Sequence, residues 1–290
     1  MDINVCLLGG GTRLAAHLGA LRGIEEHGGR FRAWAGASAG SILASVLACG
    51  ATQAEAMDLL LRTDFKQFLD FRPFGILRGY GLYAGRRLER WLEEVLGGRT
   101  FGEVTTPLAV VCTDIVSAQP RIFASWLTPK VKVSAAVRCS VGIPGIFAVR
   151  KMDEDVLVDG VLVNPDAASL FPPSGNVDIT IRLARDLASA PSVSKRFGLF
   201  SYIQQVATLL LDAVDQTRLP FDHWQRTLLV RTGAHSSIDF ELTIEEKQSL
   251  YQMGYDQAIK YFDLKALASA TPPPFSADST KSVDHGGFSP

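Results

Sequence analysis

Three short stretches carry residue types able to do covalent chemistry. Gly36-Ala37-Ser38-Ala39-Gly40 is a GxSxG pattern with Gly36 and Gly40 flanking Ser38. Glycines two residues to either side permit a sharp turn that presents the serine Oγ, and a helix starting just beyond favours developing negative charge. The competing reading is a small-residue strand–helix turn that only packs closely. Gly9-Gly10-Gly11-Thr12-Arg13 also joins a strand-like run to a helix-like one. Successive glycines let backbone N–H groups turn toward one point, as an anion cradle or oxyanion hole requires. A dinucleotide fingerprint fits less well: position 14 is leucine where GxGxxG needs glycine, and the next strand ends in Trp34-Ala35 without an acidic residue. Asp159-Gly160 follows the apolar run Val156–Val158. A carboxylate at a strand end can act as a base, although Asp-Gly alone is above all a turn dipeptide.

These residues need a scaffold that brings them together. Ile3–Leu8 is a short apolar, partly β-branched run ending at Gly9, which predicts a buried strand and a tight turn. Leu14, Leu18, Leu21 and Ile24 then recur at helical spacing until Gly28-Gly29. Phe31–Ala35 reads as a second strand, followed by a small-residue helix over Ser41–Cys49 and another over Gln53–Arg62. Arg86–Leu96, Val131–Arg138, Leu199–Val214 and Ile244–Phe262 carry helical patterns. Leu108–Thr113, Arg121–Ala124, Val156–Val158, Val177–Ile181 and Thr227–Val230 read as strands, and Val141–Phe147 as a loop bearing glycine and proline. Strands alternating with helices predict an α/β fold with a largely parallel sheet covered on both faces. From about Ala266 the chain changes character: Thr271-Pro272-Pro273-Pro274 and the Ser/Asp/Gly-rich end offer few apolar anchors. Residues 266–290 are therefore expected to form a disordered tail after a single domain of residues 1–265.

The 290 residues carry 29 basic and 30 acidic side chains, a net charge of −1, which argues against a bulk nucleic-acid binder. The four cysteines, Cys6, Cys49, Cys112 and Cys139, lie far apart with no CxxC pair, so neither a metal site nor a disulfide scaffold is suggested. No signal peptide opens the sequence, and the longest apolar runs, such as Ile42–Cys49 and Val206–Leu211, fall well short of the ~20 residues of a membrane span. A cytoplasmic protein is expected, one that meets a membrane only from its surface.

A serine at an elbow usually recruits a base. In the α/β-hydrolase order of Ser, Asp and His, His223 or His235 would be available, since His17 and His27 belong to the first helix and His285 to the tail. The α/β-hydrolase elbow, however, follows several strands, and Ser38 follows only two. A reading from another class keeps the glycine loop as a holder of an anionic ligand or lipid headgroup, with Ser38 a mere turn residue.

At this point several blocks can be taken together: Gly9-Gly10-Gly11-Thr12-Arg13 with His17-Leu18-Gly19-Ala20-Leu21, then Gly36-Ala37-Ser38-Ala39-Gly40, then Ser140 to Phe147 with Pro144, then Asp159-Gly160 with Asn164-Pro165. In that order they resemble the patatin-like phospholipases, over about residues 3 to 262. The resemblance implies a three-layer α/β/α fold with a mostly parallel central sheet, a Ser–Asp dyad without catalytic histidine, no metal or cofactor, and acyl esters of phospholipids or lysophospholipids as substrates. Ser38 would be the nucleophile and Asp159 the general base. The N–H groups of Gly10, Gly11 and Thr12, in the loop opened by Gly9, would form the oxyanion hole, with Arg13 adding positive potential. Leu14 and Val161 depart from the family pattern, which commonly has glycine at the first position and Gly or Ala at the second. The resemblance also admits an effector switched on by a partner or a second messenger. A carboxylate is a weak base in water, with a reference pKa of about 3.9, so such a dyad depends on a short, desolvated Ser–Asp contact.

Between Arg62 and Arg90 stand seven basic and three acidic residues, interleaved with Phe65, Phe68, Phe71, Phe74, Ile76 and Leu77. Lys66–Tyr83 therefore reads either as a rim facing an anionic bilayer or as core aromatics beneath a solvated basic face.

Overall fold

A computed structural model of the chain describes residues 1–72, 74–75, 79–186, 198–215 and 221–270. Its strands are β1 (Asp2–Leu8), β2 (Arg30–Ala37), β3 (Gly81–Tyr83), β4 (Leu108–Asp114), β5 (Gln119–Ala124), β6 (Gly145–Phe147), β7 (Arg150–Met152), β8 (Asp155–Val158), β9 (Val177–Ala184) and β10 (Thr227–Arg231). Its helices are α1 (Leu14–Glu26), α2 (Ala39–Ala48), α3 (Gln53–Arg62), α4 (Arg86–Val95), α5 (Val133–Ser140), α6 (Ala167–Leu170), α7 (Leu199–Asp215), α8 (Phe221–Gln225) and α9 (Ile244–Ala270).

Side chains alternate across the central strands, and both faces are apolar. Along β1, Ile3, Val5 and Leu7 belong to one buried cluster and Cys6 and Leu8 to another. Trp34 of β2 and Leu108, Val110 and Cys112 of β4 join the first cluster, while Ala33, Ala35, Ala37, Ala109 and Val111 join the second. Strands buried on both faces are what a helix-covered parallel sheet demands. The first face takes the larger side chains and lies under α1, α2 and α9. The second presents mostly alanines, and a thin cover suffices: Ala167 and Leu170 of α6, with Phe171, Ile122 and Trp126 beside them.

The strand order is β10-β9-β1-β2-β4-β8-β7, with β5 also pairing β4. The run from β10 to β4 is parallel, and β5, β7 and β8 add antiparallel pairs at one end. The mostly parallel α/β sheet expected from the alternating patterns is therefore present. The sequence reading missed β3, β7, α6 and α8 and read β6 as part of a loop; each has five residues or fewer, too short for any periodicity to register. It also cut β2 short. The strand runs to Ala37, two residues into the GxSxG, because Leu7 and Leu8 of β1 pair with Gly36 and Ala37.

Helix α9 continues to Ala270, five residues into the stretch expected as tail, and residues 271–290 lie outside the described residues. The expected rim falls partly outside them as well, at Pro73 and at Ile76, Leu77 and Arg78.

Candidate active site

Ser38 is the single residue between β2 and α2. Its backbone sits at φ 55° and ψ −139°, a conformation costly for a side-chain-bearing residue. The surroundings hold it there. Its N–H donates to Ser140 Oγ (3.0 Å), whose own hydroxyl donates to the Val111 carbonyl (2.6 Å), and Ser41 Oγ donates to the Ser38 carbonyl (2.6 Å). Gly40 completes the elbow: its N–H donates to the Gly9 carbonyl at 3.1 Å, and a Cβ there would lie 2.1 Å from the Leu7 carbonyl oxygen. Only glycine allows helix and strand to approach so closely.

Asp159 arrives from the opposite direction, at the end of β8 where a 3₁₀ turn over Gly160–Val163 begins. Oδ1 accepts the Val161 N–H (3.0 Å) and Oδ2 accepts the Ser38 hydroxyl (2.7 Å). The Asp159 N–H donates to the Gly142 carbonyl (3.0 Å), and its own carbonyl accepts from Thr113 Oγ1 (2.8 Å). Asp159 is wholly buried and Ser38 is 3% exposed, so their contact lies in a desolvated setting that strengthens hydrogen bonding to a carboxylate.

The glycine loop stands beside the elbow. Gly9, Gly10 and Gly11 have φ of 65°, 104° and 54°. Gly9 donates to the Ala37 carbonyl (3.2 Å), which ties the loop to the end of β2. At Gly11 a Cβ would meet the Ser237 carbonyl oxygen at 1.7 Å. Among the described residues, the N–H groups of Gly10 and Gly11 make no hydrogen bond. Thr12 differs from expectation: its N–H is taken by the Ser237 carbonyl (3.0 Å), which leaves two of the three expected oxyanion donors. Arg13 differs too. It is wholly buried and donates to the Gly10 carbonyl (3.0 Å), Thr232 Oγ1 (2.8 Å) and Ser237 Oγ (2.7 Å), so the guanidinium braces the loop. His17 lies beneath the same loop, Nε2 3.4 Å from the Gly9 carbonyl, and burial depresses its pKa to about 3, so the ring is neutral at physiological pH.

A narrow apolar cleft of about 60 Å³, partly open to solvent, ends on Ser38 and is lined by Gly11, Thr12 and Ser237 together with Phe65, Phe68, Leu88, Trp91, Phe147 and Phe240. Leu14, one of the two departures from the family pattern, is part of this wall, and Val161, the other, is 2% exposed beside Asp159. The segment expected as a rim divides. Phe65 and Phe68 are buried in the cleft wall, because the 3₁₀ turn over Phe65–Phe68 points both inward, whereas Phe71, Phe74 and Tyr80 are 60–72% exposed.

No histidine lines the cleft among the described residues. His223 lies 3.6 Å from Asp166 in a separate depression with Thr180 and Arg226. His235 sits two residues before Ser237 and is absent from the cleft wall. Groups of His, Cys, Asp and Glu able to hold a metal ion are absent from the described residues.

Sequence reasoning gave no role to Thr113 or Ser237. Ser140 opened the block ending at Phe147, so its neighbourhood was marked, but nothing local distinguishes Thr113 or Ser237, whose contacts come from elements far away in the chain.

Fold and site together define an α/β protein with a serine on a strand–helix elbow, a buried carboxylate as its partner and a glycine loop alongside. Residues 5–171 match the family model of the patatin-like phospholipases, more than half of the 290 residues, and the chain belongs to that family. It is 28% identical over 281 residues to YqhO of Bacillus subtilis, an uncharacterized protein, covering 88% of this chain and 96% of the other. It is 27% identical over 187 residues to an uncharacterized NTE family protein of Mycobacterium tuberculosis, covering 63% of this chain and 48% of that one. The fold is shared with VipD of Legionella pneumophila, at TM-score 0.59 and 15% identity over 90% of this chain and 67% of that one. It is shared also with ExoU of Pseudomonas aeruginosa, in its complex with SpcU, at TM-score 0.52 and 20% identity over 91% of this chain and 52% of ExoU.

Proposed function

We propose that the protein is a lipid acyl hydrolase that cleaves carboxylic esters of phospholipids or lysophospholipids through Ser38 and Asp159. One observation carries this reading: Ser38 Oγ donates to Asp159 Oδ2 at 2.7 Å where an apolar cleft ends. In the acylation step Asp159 Oδ2 takes the Ser38 proton as Oγ bonds to the ester carbonyl carbon. The carbonyl electrons move onto oxygen, where the free N–H groups of Gly10 and Gly11 meet the developing charge. The ester C–O bond then breaks, the leaving alcohol takes the proton from Asp159, and an acyl-Ser38 remains. Water gives a proton to Asp159 and attacks this acyl group; the carboxylic acid departs and the proton returns to Ser38 Oγ. Oδ1 stays bonded to the Val161 N–H throughout, which fixes the carboxylate plane with Oδ2 toward the serine.

The aromatic and aliphatic wall matches an acyl chain better than a polar substrate. The pairing of His223 with Asp166 gives that histidine a local role outside the cleft.

The test combines a fluorophosphonate probe with hydrolysis of a phospholipid and lysophospholipid panel read by mass spectrometry. Wild type is expected to be labelled and Ser38→Ala to be blank. Asp159→Asn should lose on the order of 10²- to 10⁴-fold in turnover with its circular dichroism unchanged. Labelling that persists in Ser38→Ala, or wild-type turnover by a folded Asp159→Asn protein, would refute the dyad.

A further inference from the structure

Helix α7 is apolar on its outer face as well as its inner one. Ala207 and Leu211 are buried together with Thr208 and Asp212, while Leu199, Phe200, Val206, Leu209 and Leu210 are 37–68% exposed. The spacing from Leu199 to Val206 to Leu209 and Leu210 keeps most of these side chains near one helical stripe. From Gly198 to Val214 the only ionisable carboxylate is the buried Asp212, and no lysine or arginine is present. Scattered exposed apolar residues are ordinary, but a stripe of them along one helix marks an interaction surface.

This stripe connects to the cleft. Phe200 stands edge-on to Tyr83 at 6.3 Å, and Tyr83 packs against Phe147 at 6.2 Å, a residue of the cleft wall. Ile203 lies over Gly145, where a Cβ would come within 2.8 Å of its Cγ2. Phe71 bridges to Tyr83 and is exposed, as are Phe74 and Tyr80. The backbones of these last two sit at φ of 60° and 58°, unusual for aromatic residues, with both rings directed outward. Just beyond Tyr83, helix α4 presents exposed Arg86, Arg87 and Arg90 on its outer side, while Leu88 and Trp91 line the cleft. None of the three arginines has a carboxylate partner among the described residues, whereas nearby Arg150 is paired with Glu89 and Lys66 with Glu241.

We propose that α7, with Phe71, Phe74 and Tyr80, seats the mouth of the cleft on an anionic bilayer surface. The choice of a bilayer as occupant rests on the lipid acyl hydrolase reading and on charge complementarity: the α4 arginines, without carboxylate partners among the described residues, follow closely on Tyr83, against which Phe200 of the stripe packs. An interfacial helix with basic residues nearby gains from both apolar burial and anionic headgroups. The seat is superficial, since no helix among the described residues is long and apolar enough to cross a membrane. The bilayer-facing surface thus lies mainly on α7, a helix to which the sequence pattern assigned no special role, and only in part on the expected Lys66–Tyr83 rim.

Flotation with vesicles of equal parts phosphatidylglycerol and phosphatidylcholine tests this, using full-length wild type and Ser38→Ala, with hydrolysis of a soluble short-chain ester by wild type measured separately. Wild type and Ser38→Ala should float alike, and pure phosphatidylcholine vesicles should hold several-fold less of each. Val206→Glu/Leu209→Glu, both changes on the exposed stripe, should lose about tenfold or more in binding with circular dichroism unchanged. Arg87→Glu/Arg90→Glu should lose about tenfold on the anionic vesicles alone. No flotation of wild type, or equal flotation of the α7 variant, overturns the seat even if the soluble ester is hydrolysed. Flotation without ester hydrolysis keeps the seat and removes the hydrolase reading. A dimer in sedimentation velocity that the α7 variant dissociates, with vesicle binding unaltered, assigns the stripe to a second copy and also overturns the proposal.

Discussion

At the scale of single residues, hydrogen bonds fix Ser38 and Asp159 while the Gly10 and Gly11 N–H groups stay open among the described residues. Ser38 is held in an unfavourable conformation by the Ser140 and Ser41 hydroxyls, and Asp159 has one oxygen on a backbone N–H and the other on the serine. His17 supports the same neighbourhood from beneath and carries a consequence for stability. Its ring is wholly buried and neutral, Nδ1 has no partner among the described residues, and its pKa falls from 6.5 to about 3. The unfolded chain takes up a proton below about pH 6.5, and the native state does not until about pH 3. Because the unfolded state binds more protons in that window, stability rises with pH across it and is lost as pH falls. Each unit below pH 6.5 removes about 1.4 kcal/mol through this one group, so His17→Gln should flatten the acid limb. Urea denaturation at pH 7, 6 and 5 measures this; parallel stability profiles for wild type and variant would contradict it.

At the scale of elements, strand ends and helix starts bring the reactive groups to one edge of the sheet. Leu8 and Ala37 are register partners, so the chain leaves β1 and β2 side by side, and the glycine loop and elbow are adjacent for that reason alone. The cleft wall depends on a different brace. Arg138, near the end of α5, is wholly buried and donates to the carbonyls of Ala84 (2.9 Å), Gly85 (3.2 Å) and Ala148 (3.0 Å), and its guanidinium lies over the Phe147 ring. It thereby links the end of β3 to the end of β6. Arg138→Leu leaves the Ala84 and Ala148 carbonyls without this donor, Gly85 keeping the Glu89 N–H, and should cost about 3 kcal/mol, with a raised KM for acyl substrates as the wall loosens. A urea midpoint and KM equal to wild type would show that the brace is dispensable.

At the scale of the whole molecule, the family match ends at residue 171 but the site does not. Ser237 holds Thr12 and Arg13, Thr232 holds Arg13, and Phe240 closes part of the cleft. β9 pairs with β1 from Ile3 to Leu8, so a chain cut after Phe171 would expose a buried parallel edge and release the brace on the glycine loop. Such a truncation should lose cooperative thermal unfolding and most of its soluble yield. A cooperative transition in the truncated protein would show that the matched segment folds by itself.

Much of this was legible in the sequence, and the reason is locality. The apolar runs, the helical spacing of Leu14, Leu18, Leu21 and Ile24, and the glycines about Ser38 are short-range signals, and each fell on the element or turn expected of it. The alternation of these runs determined an α/β sheet, and motif order pointed to Ser38 and Asp159. What the sequence could not specify was how positions far apart meet. The 2.7 Å contact spans 121 residues, the Ser237 carbonyl takes the Thr12 N–H, and Arg13 turns into the loop as a brace. The same holds for exposure: a periodic pattern shows that a helix has two faces, not which one is covered. On α7 only the tertiary structure decided that Leu211, Thr208 and Asp212 turn inward and Leu199, Leu209 and Leu210 out, because burial depends on what the rest of the chain places against each face.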